Sequence, residues 1–285
     1  MSLLSPTARC RRAYLPARQR LSAACLSHID AVLAFGGIKV QGRLAGSSNA
    51  TLQVLCEADG ESTLAVYKPR KGERPLWDFP QGSLGHREVA MSILDRRLGW
   101  DLVPPTVWRE EGPYGPGSCQ LWIDVDPGRE AVVVAAEESV PEGWFAVAQG
   151  EDEDGELVVL AHDNSPALRR MTLLDVLANN ADRKGGHVLL TGTGSVAAID
   201  HGVTFHVDDK LRTVLWGWAG APINVAEQAD LQRLAGEMDA LEQDIHEHLT
   251  GREFEALAAR LEVVLSEGCF PTPTGAWPAL PWPAM

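Results

Sequence analysis

Apolar positions in the first part of the chain come in short runs broken by glycine. Between Ile29 and Pro69 they read IDAVLAF, GGIKVQGRLA, TLQVLCEADG and STLAVYKP, the pattern of antiparallel strands joined by tight turns. The period then changes. In GHREVAMSILDRRLG, Val89, Ile93, Leu94 and Leu98 lie along one broad side at helical spacing, and Gly99 stops the helix. LVPPTVWRE and GSCQLWIDVD return to strand character on either side of the turn EGPYGPG. The pattern predicts strands, one helix, then strands.

The second half reads as mainly helical. SPALRRMTLLDVLANNAD starts with Ser165 as N-cap and Pro166 at the first helical position, and Met171, Leu174 and Ala178 share a face. HVLL and VAAI flank a glycine turn and predict a hairpin. Two further helices are expected from Val225 to about Glu267. Leu231, Leu234, Met238, Leu241, Ile245 and Leu249 form their stripe, and Thr250 with Glu253 makes a capping box for the last one. The acidic stretch GEDEDGE reads as a solvated loop. The Pro/Trp-rich segment at 269–285 is open between docking on the body and docking on a partner.

Composition narrows the classes. The 285 residues are 45% hydrophobic and 22% charged, enough apolar surface for one large domain or two lobes. A net charge of -14 argues against a sequence-independent grip on nucleic acid, which needs clustered Lys and Arg. Cys10, Cys25, Cys56, Cys119 and Cys269 are scattered without metal-ligand spacing, so reduced thiols are expected. No run approaches the ~18–20 apolar residues of a membrane span. Arg11, Arg12, Arg18 and Arg20 suggest a loose basic arm rather than a signal sequence. The expectation is a cytoplasmic protein divided into an arm (1–28), a first lobe (29–118), a linking strand and second lobe (119–268), and the segment 269–285.

Chemistry enters through order and spacing. Lys68 ends a strand in VYKP, and Glu88 lies early in the next helix, so an ion pair between them would hold the lysine against phosphate oxygens. Upstream, Ser47, Ser48 and Asn49 lie in a small-residue turn where backbone N–H groups approach phosphates. Gln120, Leu121 and Trp122 supply an extended backbone and apolar walls for a purine. Asp182 follows a helix and Asp200 follows a hairpin. Metal-assisted phosphoryl transfer requires one carboxylate at the acceptor hydroxyl and another on Mg²⁺, and these two aspartates suit those roles. Each residue has a plainer reading: Asp182 and Asp200 as turn residues, Lys68 as a solvated lysine, and Trp216 and Trp218 as core. His201 and His206 read as structural.

Together, VYKPRKGERP, REVAMSILDRRLGWDLVPPTV, LLDVLANNADRKGGHVLL and AAIDHGVTF resemble the phosphatidylinositol 3-/4-kinase superfamily. The similarity is greatest to its type II phosphatidylinositol 4-kinase-like branch, and within that to a bacterial group in which DRKGGH, IDHG and LRTVLWGWAG recur. It spans roughly Ile38 to Gly220. It implies a two-lobed protein-kinase-like α+β fold, with an antiparallel sheet plus helix in the first lobe and a mainly helical second lobe. It also implies ATP with Mg²⁺ or Mn²⁺, and an inositol lipid or protein as phosphoryl acceptor. On that resemblance, Lys68 is the phosphate lysine, Glu88 its partner, Asp182 the catalytic-loop aspartate followed by Arg183, and Asp200 the metal aspartate. His187 stands where the family usually has a metal-binding asparagine. It is balanced between ligand and hydrogen-bonded structural histidine, and imidazole is a softer ligand for Mg²⁺ than an amide oxygen. A nucleotide-binding pseudokinase and a kinase-fold nucleotidyl transferase stay open beside the kinase.

Overall fold

IDAVLAF is a helix, α1 (His28–Phe35), where a strand was expected. Ile29, Val32 and Leu33 fall at i, i+3 and i+4, so the run closes one apolar helical face, and Val32 and Leu33 are buried. The computed structural model describes residues 28–44 and 49–285. The basic arm before His28, Cys10, Cys25 and the phosphate-turn candidates Ser47 and Ser48 lie outside the described residues.

Beyond α1 the glycine-broken runs form strands as their pattern predicts: β1 (Gly37–Arg43), β2 (Leu52–Ala58) and β3 (Glu61–Pro69). With β4 (Thr106–Arg109) and β5 (Gly117–Leu121) they make an antiparallel sheet of order β1-β2-β3-β5-β4. Period-two alternation in β2 buries Leu52, Val54 and Cys56, and these join Ala65, Tyr67, Val107, Cys119 and α1 in a small core.

Helix α2 (Leu84–Leu98) ends at Gly99, which takes the left-handed φ of 67° that a residue without a Cβ adopts at no steric cost. It is buried beyond the stripe the apolar residues predict. Ala90, Met91, Leu94 and Leu98 belong to the large core of the second half, while Arg87 and Glu88 are themselves buried.

The second half contains α3 (Pro166–Ala178), whose N-cap Ser165 hydroxyl accepts from the Leu168 N–H at 3.4 Å. A hairpin of β9 (Val188–Leu190) and β10 (Val196–Ala198) follows. Ahead of α3 lies a sheet that the hydrophobic pattern missed: β6 (Val132–Ala135), β7 (Phe145–Glu151) and β8 (Leu157–His162), in order β6-β8-β7. The acidic stretch is its β7–β8 turn. Asp152 accepts from the N–H groups of Asp154 and Glu156 at 3.0 and 2.9 Å, so a run that reads as solvated charge carries turn chemistry. Three helices replace the two expected near the end: α4 (Val225–Gly236), α5 (Met238–Ile245) and α6 (Gly251–Glu267). The chain bends at Glu237 without interrupting the apolar stripe, and Leu231, Leu234, Leu241, Ile245 and Leu249 are all buried. The Thr250–Glu253 capping box forms as expected. The whole is α+β and two-lobed, with Lys68 and α2 facing the hairpin of the second lobe.

Candidate active site

Lys68 sits on β3 opposite Ser118 of β5, and this register aims its side chain at α2. Its ammonium donates to Glu88 Oε1 at 2.5 Å and to Asp200 Oδ1 at 2.8 Å. One cation therefore ties the sheet to α2 and to the loop after β10. Burial pushes the lysine down, but Asp200 and Glu88 outweigh it and hold its pKa well above the usual lysine range. Burial raises the Glu88 carboxyl, opposed by Lys68. Lys68 holds Asp200 well below the usual carboxylate range. The cluster is a charged lysine between two carboxylates.

The NNADRKGGH loop is built residue by residue. Asn179 ends α3 in the left-handed region, φ 50°, which asparagine tolerates better than most residues. Its amide nitrogen donates to the carbonyls of His206 and Asp208, and its oxygen accepts from the Lys210 N–H. Asn180 donates to Asp175 at 2.8 Å and accepts the Asp182 N–H at 3.0 Å, fixing the backbone that carries Asp182. The Asp182 carboxylate lies 3.4 Å from the Lys184 ammonium. Burial raises its pKa, with Lys184 opposing, the direction that makes a carboxylate a better proton acceptor near neutrality.

Arg183 is 0% exposed. Its guanidinium pairs with buried Asp175 through three contacts of 2.9–3.2 Å. It also donates to the Ile199 carbonyl at 3.0 Å and meets His201 Nε2 at 2.8 Å. Arg183 thus braces the residues on either side of Asp200 from behind, out of reach of a ligand. Asp200 itself has φ 60°, a left-handed turn that aspartate accepts. His187 Nε2 lies 3.3 Å from Asp200 Oδ2. Burial pushes the ring down to about 4, so it is neutral and able to use a lone pair, while its Nδ1 is buried without a partner.

Lys68, Glu88, Asp200 and His187 are joined directly, and Asp182 is coupled to Asp200 by charge. Asn49 is drawn elsewhere, since its side-chain oxygen accepts the Arg74 N–H at 2.8 Å. Gln120 is buried and donates to Thr106 at 2.8 Å. The N–H groups of Leu121 and Trp122 are bonded to the carbonyls of Pro105 and Leu64. His201 is fully buried and His206 bonds the Asp78 carbonyl, as structural histidines do. Asp175, Asn180 and Lys184 went unnoticed in the sequence; a fully buried arginine demands a buried carboxylate, but which one is a matter of packing.

Among the described residues no cluster of three or more His, Cys, Asp or Glu side chains could by itself hold a metal ion. Asp200 and His187 nevertheless present a carboxylate oxygen and a neutral imidazole nitrogen to one point. Mg²⁺ commonly takes one or two protein ligands and fills its remaining positions with phosphate oxygens and water. The donor set fits a cation that arrives with a polyphosphate.

Fold and site define a two-lobed α+β protein with a lysine–carboxylate cluster between its lobes. The chain belongs to the family of Protein Rv2133c of Mycobacterium tuberculosis, with 45% identity over 270 residues covering 90% of this chain and 95% of that one. No protein-family profile matches the chain. Among solved structures it is similar to hydra Fam20 with sugar, at TM-score 0.47 and 15% identity over 83% of this chain and 86% of that chain. It is also similar to the Helicobacter pylori proinflammatory kinase CtkA, at TM-score 0.45 and 13% identity over 82% and 94%. At these scores and identities neither likeness assigns a function. No helix among the described residues is long and apolar enough to cross a membrane.

Proposed function

We propose that the protein is an ATP- and divalent-metal-dependent phosphotransferase of the phosphatidylinositol 3-/4-kinase-like type, moving a γ-phosphoryl group to a hydroxyl. The observation that carries this reading is the Lys68 ammonium held between Glu88 and Asp200 at 2.5 and 2.8 Å. Glu88 keeps the lysine charged and oriented at the end of β3, where it neutralises phosphate oxygens. Asp182 accepts the proton of the acceptor hydroxyl as its oxygen bonds to phosphorus and the bond to the departing ADP breaks. Asp200 and His187 would hold the divalent cation, whose chemistry is to neutralise charge on the phosphates. Arg183 positions rather than reacts.

A second reading, nucleotide binding without turnover, is favoured by one observation: both oxygens of Asp200 already face side chains, Lys68 and His187. One experiment separates the two. ATP consumption and acceptor labelling with Mg²⁺ or Mn²⁺ are compared for wild type, Lys68→Ala and Asp182→Asn, offering phosphatidylinositol vesicles and a protein mixture. Asp182→Asn should lose about 10²–10⁴-fold in turnover with nucleotide affinity nearly unchanged, while Lys68→Ala should lose both. Full activity in Asp182→Asn removes the assigned base, and nucleotide binding with no labelling in wild type selects the second reading.

A further inference from the structure

The loop between β3 and α2, residues 70–83, is fastened to both lobes. Arg74 N–H binds Asn49, and the Glu73 carboxylate accepts from the N–H groups of Leu84 and Gly85 at 3.3 and 2.9 Å. On the far side the Asp78 carboxylate pairs with Lys210 at 2.5 Å, and the Asp78 carbonyl bonds His206 at 3.0 Å. So anchored, the loop is a preformed wall. It borders an open pocket of about 400 Å³ whose lining includes Arg70, Lys71, Arg74, Phe79 and Leu84.

Glu73 is the one carboxylate in that lining, and it is committed to the first amides of α2. Among the described residues no carboxylate pairs with Arg70, Lys71 or Arg74. Three cations thus line one pocket whose single carboxylate is already bonded to backbone amides. The arrangement suits an anion. Lys68, Glu88, Asp182 and Asp200 are absent from the lining, so this is not the Lys68 cluster. It adjoins that cluster, because Leu84 of the lining packs against Gly202, two residues beyond Asp200.

We infer that this cavity is an anion subsite for a phosphoryl acceptor that already carries a phosphate, held by Arg70, Lys71 and Arg74. The inference rests on the kinase reading and gives its acceptor a chemical class: a phosphate ester, free in solution or on a lipid headgroup.

Inorganic phosphate titrated into the full chain by calorimetry, with and without saturating AMP-PNP and Mg²⁺, tests it. Wild type and the Lys71→Ala/Arg74→Ala variant are compared. Both side chains are exposed, so the variant should fold. Phosphate should bind whether or not the nucleotide is present, and the variant should weaken it about tenfold or more while AMP-PNP affinity changes little. Equal phosphate binding by both proteins, no binding by wild type, or displacement of phosphate by AMP-PNP would overturn the inference. Vesicles of phosphatidylglycerol in phosphatidylcholine assign the source: sedimentation of wild type but not the variant places the phosphate on a lipid, and phosphate binding without sedimentation places it on a soluble ester. Absence of AMP-PNP binding would sink the kinase reading alone, because the phosphate titration without nucleotide reads the cavity by itself.

Discussion

At the scale of single residues, Arg183 shows how position in a motif and role in a structure separate. It follows Asp182 in the loop, yet its guanidinium is spent on Asp175, on the carbonyl before Asp200 and on the ring after it. Removing one member of a buried ion pair strands the other charge in a low-dielectric interior, at about 3–5 kcal/mol. Arg183→Ala should therefore lower Tm by roughly 10 °C. The Arg183→Ala/Asp175→Ala double variant should lose clearly less than the sum of the two single losses. A variant that melts like wild type while losing activity would place Arg183 at the reacting atoms instead.

Among the elements, α2 governs the geometry. It reaches α1 through Arg96 and Asp30 at 3.0 Å, α5 through Arg97 and Asp244, α6 through Arg87 and Glu253, and β3 through Glu88. Its first turn meets the loop after α5, where His86 Nδ1 and His248 Nδ1 lie 3.0 Å apart, a bond that needs one ring to donate and the other to accept. Burial, then Arg70, pushes His86 down to about 4; burial, then His86, pushes His248 down to about 3. The ordinary histidine value is about 6.5, so below that pH the unfolded chain takes up protons that the folded chain refuses. This stabilisation is complete above about 6.5 and is lost as pH falls toward 4 and 3. Asp95 works the other way: burial raises it to about 6, so its contribution is present at low pH and lost as pH rises from about 4 to 6. Tm should fall between pH 6.5 and 4, and His86→Phe, which can keep the stack on Trp108, should flatten the slope by up to one proton. An unchanged slope would move the loss to other buried histidines, such as His187 or His201.

For the molecule as a whole, the segment 269–285 closes the second lobe. The Ala279 carbonyl accepts from the Thr213 N–H and the Trp216 indole at 3.0 and 2.9 Å, and the Ala284 carbonyl accepts the Gly185 N–H at 2.8 Å. Gly185 belongs to the Asp182 loop, and a Cβ there would meet the flexible end of the Met285 side chain. Removing residues 279–285 leaves three donors without acceptors, each worth about 1–3 kcal/mol where water cannot replace the partner. The truncated protein should melt several degrees lower and show faster hydrogen exchange at 183–187, with nucleotide affinity nearly unchanged. Wild-type exchange in that loop would mean the segment does not brace it.

What the sequence determined by itself is local. Glycine-broken alternation specified β1 to β3, capping residues set the starts of α3 and α6, and the order of Lys68, Glu88, Asp182 and Asp200 outlined a candidate site. These signals are legible because they depend on backbone propensity and on residues a few positions apart. Where two local signals competed, the reading failed: IDAVLAF satisfies both strand propensity and an i, i+3, i+4 face, and contact with the sheet decided for α1. The acidic stretch forms an exposed turn between β7 and β8, in keeping with its reading as a solvated loop. Only the tertiary structure decided that Arg183 faces inward, that Asn49 and Gln120 bond neighbouring residues, and that the cations of 70–74 line one pocket. Each is a pairing across tens of residues, and which partner a polar side chain finds is settled by the packing of elements around it.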